Sequence, residues 1–192
     1  MKAIRGVVIR KDRTRETLEM LKALTRSEVL VGIPESTTSR DNEDGADITN
    51  AQIGYLMETG SPAANIPARP SLIPGVEAAQ DVAVAQLQEA AKAALRGDEG
   101  RAQAKMSDAG ILCANSVKRT INSNIPPPLS PATIRGRAAA RGSATPRASE
   151  RAYLKMVSLG ADPADAQAET GIVALVNTGQ FRNSITSVVR KK

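Results

Sequence analysis

The chain has no histidine, which removes the commonest general base and the commonest metal ligand together. Its single cysteine, Cys113, lies on an apolar helical stripe without a basic partner, so a buried core thiol is expected rather than a nucleophile. One cysteine permits no intrachain disulfide and fits a reducing cytosol. Carboxylates are densest at Asp41, Glu43, Asp44 and Asp47, but this run lacks the spacing and terminal Glu of a calcium loop and reads as solvated. Gly97 to Gly100 is followed by Arg101-Ala102, without the Lys-Ser/Thr that a phosphate loop needs. Asn177-Thr178-Gly179 puts an amide where a proton-sharing pair needs carboxylates, and it occurs once. No catalytic residue, cofactor or metal is expected, and the chain does not read as an enzyme.

The side chain best placed for a specific contact is Arg69. It stands among Pro62, Pro67 and Pro70, which fix φ and push the residues before them into extended conformations. The stretch reads as a rigid elbow, and a guanidinium on it is suited to a planar, bidentate contact with a carboxylate or a carbonyl. Two readings stay open: Arg69 reaches across a subunit boundary, or it pairs within its own chain.

The elements that position this elbow follow from periodicity and punctuation. A helix is expected from Ile48 to Glu58, with Ile48, Ala51, Gln52, Tyr55 and Leu56 on one side, ending at a φ-positive Gly60. After the elbow, Pro74 opens a helix from about Gly75 to Leu95, with Val76, Ala79, Ala83, Leu87, Ala90 and Ala94 at helical spacing. A second long helix, roughly Arg101 to Ile121, places Met106, Ala109, Cys113, Val117 and Ile121 on one face. The hinge at 97–100 makes the two an antiparallel hairpin, and Gly110 either weakens the second helix or lets a neighbour approach closely. Ahead of these, Ile4–Arg10 reads as a short strand and Thr14 to Leu24 as a helix with a Thr17, Leu18, Leu21, Leu24 stripe. Val29–Ile33 reads as a strand, and the polar Glu35–Asp47 as a mobile surface loop.

Beyond the hairpin, the prolines of Ile125–Pro131 enforce an extended arm, and Ser130 caps a helix whose first residue is Pro131. Arg135–Thr170 is rich in Ala and Arg, with helices expected over Ser149–Leu159 and Pro163–Glu169, the latter capped by Asp162. The fold class expected is α+β: a small, mostly antiparallel sheet packed against long helices, including a helical hairpin, with this Ala/Arg-rich insertion. All 192 residues form one domain, with 142–170 as an inserted helical subdomain.

Composition narrows the function classes. Aromatics are 2% of the chain, so small aliphatic residues must fill the core, which suits a protein that matures by assembly. No run approaches a membrane span, so a soluble product of the cytoplasm is expected. The net charge is +6 and unevenly spread. From Glu35 to Glu58 there are six acids and one base, whereas from Lys118 to Lys155 there are eight bases and one acid. Such a split either joins copies to one another or makes two separate solvated surfaces.

Three stretches carry a resemblance. Glu58, Gly60, Ile66, Pro67, Ala68, Arg69, Pro70 and Leu72 resemble a hallmark of the neck proteins of tailed bacteriophages, the head-to-tail joining or tail-completion family. Ser71 stands where that family often has an aromatic. Pro128-Leu129-Ser130-Pro131, with Thr133 and Ile134, resembles the family's segment after the second long helix. Leu175–Ile185 resembles its C-terminal signature, with Asn177 for the usual Asp, so that a cap is kept and a charge lost. Thr178-Gly179 is expected to form the turn, Gln180–Ser184 one helical turn and Ile185–Val189 a closing strand.

The resemblance implies a structural virion protein made in the host cytoplasm. Copies would form a ring in the neck, sixfold or twelvefold, between the head connector or head-completion proteins and the tail terminator or tail tube. DNA would pass through its lumen without sequence-specific binding. Contact residues implied are Glu58, Gly60, Pro67, Arg69, Pro70, Leu129, Ser130, Pro131, Asn177, Thr178, Gly179 and Arg182. The alternative is a nucleic-acid-binding module that uses Arg135, Arg137, Arg141, Arg147 and Arg151 of the basic 118–155 segment. No aromatic interleaves those bases in the manner of a single-strand binder.

Overall fold

A computed structural model describes residues 14–34, 36, 48–139 and 148–191. In chain order its elements are α1 (Thr14–Thr25), β1 (Ser27–Gly32), α2 (Asn50–Thr59), α3 (Leu72–Glu77), α4 (Gln80–Leu95) and α5 (Glu99–Asn122). They are followed by α6 (Pro131–Ala139), α7 (Ala148–Ser158), α8 (Pro163–Thr170), α9 (Gln180–Ser184) and β2 (Thr186–Lys191). The class is α+β, with a small antiparallel sheet laid on long helices. The expected strand at Ile4–Arg10 and, apart from Ser36, the expected loop at Glu35–Asp47 lie outside the described residues.

The centre is α5, and every side of it is built for close approach. Asp98 caps it by accepting from Arg101 N at 2.9 Å, and Gly97, at φ 83°, turns the chain back from α4. The α4–α5 contact is made of small residues, with Ala79 and Ala83 packed on Ala109 and Cys113, and Ala93 and Ala94 on Ala102. On another side Gly110 meets the sheet: a Cβ there would lie 2.7 Å from Ser187 Cβ and 2.9 Å from Val29 Cγ1. Of the two readings of Gly110, close approach is therefore the one seen. Gly75 of α3 is pressed harder still, its absent Cβ falling 2.5 Å from Val117 Cα.

The two strands pair from Ser27↔Lys191 to Gly32↔Thr186, so Leu30 stands opposite Val188 on the outer face. Below the sheet, Ala114, Val117 and Ile121 of α5 form the main core with Leu175, Phe181 and Ile185. Ile53, Met57, Leu72 and Val31 close over it. A second core gathers Leu129 and Ile134 with Tyr153, Ala166, Ile172 and Ala174. Thus α7 and α8 of the 142–170 segment share a core with α6 and the proline arm.

Four expectations about faces and starts are corrected. In α2 the inward side is Asn50, Ile53, Gly54 and Met57, while Tyr55 is 74% exposed. Two local demands decide this rotation: Gly54 admits Phe181, and Met57 O takes the Arg69 N–H at 2.6 Å. In α1, Leu18 points outward, and Thr17, Met20 and Leu21 are the half-buried residues. The helix expected from Gly75 to Leu95 is two helices, because Ala79 N bonds Val76 O three residues back and re-aims the chain. Its stripe also loses Leu87, which faces solvent while alanines face α5. Finally, Asn177 is not the cap of α9. Gly179, at φ 82°, holds that position, and Thr178 Oγ1 accepts from Gln180 N at 3.4 Å.

Candidate functional site

The elbow is held from both ends by ionisable side chains bonded to backbone. At the end of α2, Glu58 aims its carboxylate at the start of α3. Oε2 accepts from Ser71 N at 2.8 Å and Leu72 N at 3.0 Å, and Oε1 from Ile73 N at 3.1 Å. A negative charge that satisfies the orphan donors of a helix start is favoured by hydrogen bonding and by the helix dipole. This explains why α3 begins before Pro74.

Between these ends the chain makes a tight loop. Gly60 at φ 72° is required there, since a Cβ would meet Ala68 N at 2.8 Å. Ser61 and Ile66 then exchange backbone bonds of 2.8 and 2.9 Å around a Pro62–Ala64 turn, with Asn65 in the left-handed region.

Arg69 leaves this loop and crosses to the proline arm. Nε and Nη2 both donate to Pro127 O, at 3.1 and 2.8 Å, and Nη2 lies 3.4 Å from Pro128 O. An extended proline arm has carbonyls but no intra-arm donors, so an outside donor is needed to satisfy them. The sequence reading of Arg69 as an exposed elbow group is corrected, because the residue is only 6% exposed. Burial lowers the guanidinium pKa from its ordinary value. The bidentate fork is as expected, and its acceptor within the chain is a carbonyl.

Past the arm, Ser130 Oγ accepts from Thr133 N at 3.2 Å, and Pro131 opens α6 as expected. Leu129 N donates to Gln167 Oε1 at 2.7 Å. Gln167 Nε2 in turn donates to Asn124 Oδ1 at 2.9 Å, which also takes Ala174 N at 3.2 Å. Arg137 directs Nη1 to Val173 O and Val176 O, both at 3.2 Å, and Nη2 to Ala174 O at 2.6 Å.

Elbow and arm together wall a cleft of about 810 Å³. Of the residues singled out in the sequence, Gly60, Pro67, Arg69, Leu129 and Ser130 line it. Glu58, Pro70 and Pro131 adjoin it in the chain, and Pro70 is exposed. Asn177, Thr178, Gly179 and Arg182 are not on its lining. Arg182 instead reaches Asn122 Oδ1, 3.2 Å away at the end of α5. The C-terminal turn meets the elbow through the other side of α2, where Phe181 abuts Gly54 in a smaller apolar cleft with Tyr55 and Leu72.

Sequence reasoning missed Arg137, Gln167 and Asn124. Arg137 was counted as part of a basic surface, although its guanidinium is engaged by backbone. Asn124, at φ 58°, had a weak signal as an Asn ahead of Ile-Pro, whereas nothing marked Gln167. Of the other bases in that alternative, Arg141 and Arg147 lie outside the described residues.

Cys113 is buried on α5, and burial pushes its thiol pKa up. Among the described residues, no group of three or more His, Cys, Asp or Glu is gathered as for a metal, and no helix is long and apolar enough to cross a membrane. No protein-family model, curated protein or solved structure matches the chain.

Proposed function

We propose that this chain is a structural subunit of a tailed-phage neck: copies joined in a ring between head connector and tail, with DNA passing through the lumen. The observation that carries this reading is convergence. The three stretches that resemble the neck family are far apart in sequence, yet they form one assembly around α2. The elbow is tied to the proline arm by Arg69, and α2 packs on the C-terminal turn through Gly54 and Phe181. Unrelated chance matches have no reason to interlock.

The ring in particular is supported by the inverted pattern of α4. Its core-facing residues are alanines, while Val84, Leu87 and Leu95 are 43%, 39% and 53% exposed. With Ala91 they recur at spacings of three and four, the seam that one helix offers another. A partner surface suits them better than water. In the particle, the partners are a second copy, the head-completion proteins and the tail terminator or tube, and the role is mechanical rather than catalytic.

The test is sedimentation velocity with native mass spectrometry on the purified chain, together with gel shift on short duplex DNA at two salt concentrations. A closed ring that leaves duplex unshifted is the expected result. A monomer that binds duplex in a salt-sensitive way overturns it in favour of the basic-segment alternative.

A further inference from the structure

The cleft between elbow and arm holds a charge that its own walls do not answer. No Asp or Glu stands among its lining residues, and the partners of Arg69 are carbonyls only. A guanidinium this buried is ordinarily matched by a carboxylate. The fork uses Nε and Nη2, which leaves Nη1 without an acceptor among the described residues. Nη1 is not one of the sealed-off polar atoms, so it keeps contact with solvent, and the cleft is the opening that Arg69 lines. Around the same opening stand the exposed side chains of Thr59, Asn65, Ser130 and Thr133, all neutral donors. One fixed cation edge ringed by hydroxyls and an amide suits a singly charged planar carboxylate. A phosphate, with more charge and more acceptors, calls for a cluster of bases.

The chain itself carries the complementary group. Residues 41–47 read Asp-Asn-Glu-Asp-Gly-Ala-Asp, four carboxylates in seven residues. They join the fold through Ile48 and Thr49 at the start of α2, and the cleft lies at its end, a helix length of about 15 Å away. Opposite poles at opposite ends of one element favour head-to-tail contact between copies, the heterologous kind that closes into rings. We propose that the cleft receives the carboxylates of residues 41–47 from a second copy of this chain; this deepens the ring reading and rests on it.

Two measurements on the full chain test this. The first is fluorescence anisotropy with a labelled peptide of residues 41–47, compared with its Asn/Gln counterpart. The acidic peptide is expected to bind at least about tenfold more tightly, as one lost charge-assisted contact implies. Binding should fall by a similar factor in Thr133→Glu, which puts a like charge on the cleft wall. That variant keeps the fold, because Ser130 and a Glu at this position form a capping box. Equal binding of the two peptides, or displacement by inorganic phosphate at matched ionic strength, overturns the proposal. So does acidic-peptide binding seen only when the chain's own acids are neutralised, since that means occupation within one chain.

The second measurement is sedimentation of the variant Asp41→Asn/Glu43→Gln/Asp44→Asn/Asp47→Asn, expected to be monomeric where the wild type is a ring. If it assembles like the wild type, the proposal falls and the ring stands. If the wild type is monomeric at every concentration yet binds the acidic peptide, the ring reading falls and the cleft keeps its ligand.

Discussion

Arg69 was the residue on which the functional reading leaned, and its contacts make it a brace first. Truncation to Ala leaves Pro127 O buried without its charged donor, so Arg69→Ala is expected to cost about 1.5–3 kcal/mol in urea denaturation. Arg69→Lys should recover part of that, since an ammonium keeps the charge but not the planar fork. Glu58→Gln retains an acceptor but loses charge assistance at the start of α3, and about 1 kcal/mol is expected by the same measurement. Tyr153 tests the opposite sign. It is fully buried, its hydroxyl has no partner, and burial raises its pKa. Tyr153→Phe removes an unsatisfied polar atom without changing shape, so a gain of up to about 1 kcal/mol is expected, and a loss would show that the hydroxyl is bonded. Cys113 should resist iodoacetamide at pH 8 in the folded chain and react fully in urea, because its raised pKa and burial keep it a neutral thiol. The sign of its linkage follows: this contribution to stability is complete below the ordinary thiol pKa of 9.0 and is lost as pH rises past it.

At the scale of elements, glycines report how tightly α5 is surrounded. Gly75→Ala drives a methyl into the backbone of Val117, which cannot rotate away, and a cost of about 2–3 kcal/mol or more is expected. Gly136→Ala is the control: it lies within α6 with nothing near its absent Cβ, and a gain of about 0.5–1 kcal/mol is expected from helix propensity. Both are read as shifts of the urea midpoint at constant slope. The outward seam of α4 makes a different prediction. Leu87→Glu with Leu95→Glu should leave the monomer's stability within about 0.5 kcal/mol, since both sites are exposed. The same pair should abolish higher-order species in sedimentation. A large loss of stability with unchanged assembly would mean that the seam is packed within one chain.

For the whole molecule, two cores are joined through α5, the proline arm and Asn124. The 142–170 segment supplies Tyr153 and Ala166 to the second core, and its Gln167 satisfies the buried N–H of Leu129. Replacing this segment with a Gly/Ser linker is expected to lower the melting temperature and expose Leu129 and Ile134 to a hydrophobic dye, with the α4–α5 hairpin still cooperative. Unchanged melting would make the segment a decoration. The elements themselves were largely legible in sequence, because local chemistry defines them: Asp98, Ser130 and Asp162 as caps, Pro131 and Pro163 as first helical residues, Gly60 and Gly97 as φ-positive stops. The alanine stripe likewise announced the hairpin, and the apolar run before Pro34 announced β1. What stayed illegible were facts about neighbours. The side of α2 that turns inward, the break between α3 and α4, and the exposure of Leu87 depend on Gly54, Met57 and Gly75 meeting residues from 15 to 127 positions away. The same holds for the site. A rigid Arg on a proline elbow is written in the sequence, whereas its acceptor is a carbonyl 58 residues on, which only the packed chain brings within 2.8 Å. Capping and φ restriction act within a turn and survive in one dimension; the saturation of a buried donor is decided by whichever chain segment arrives in three.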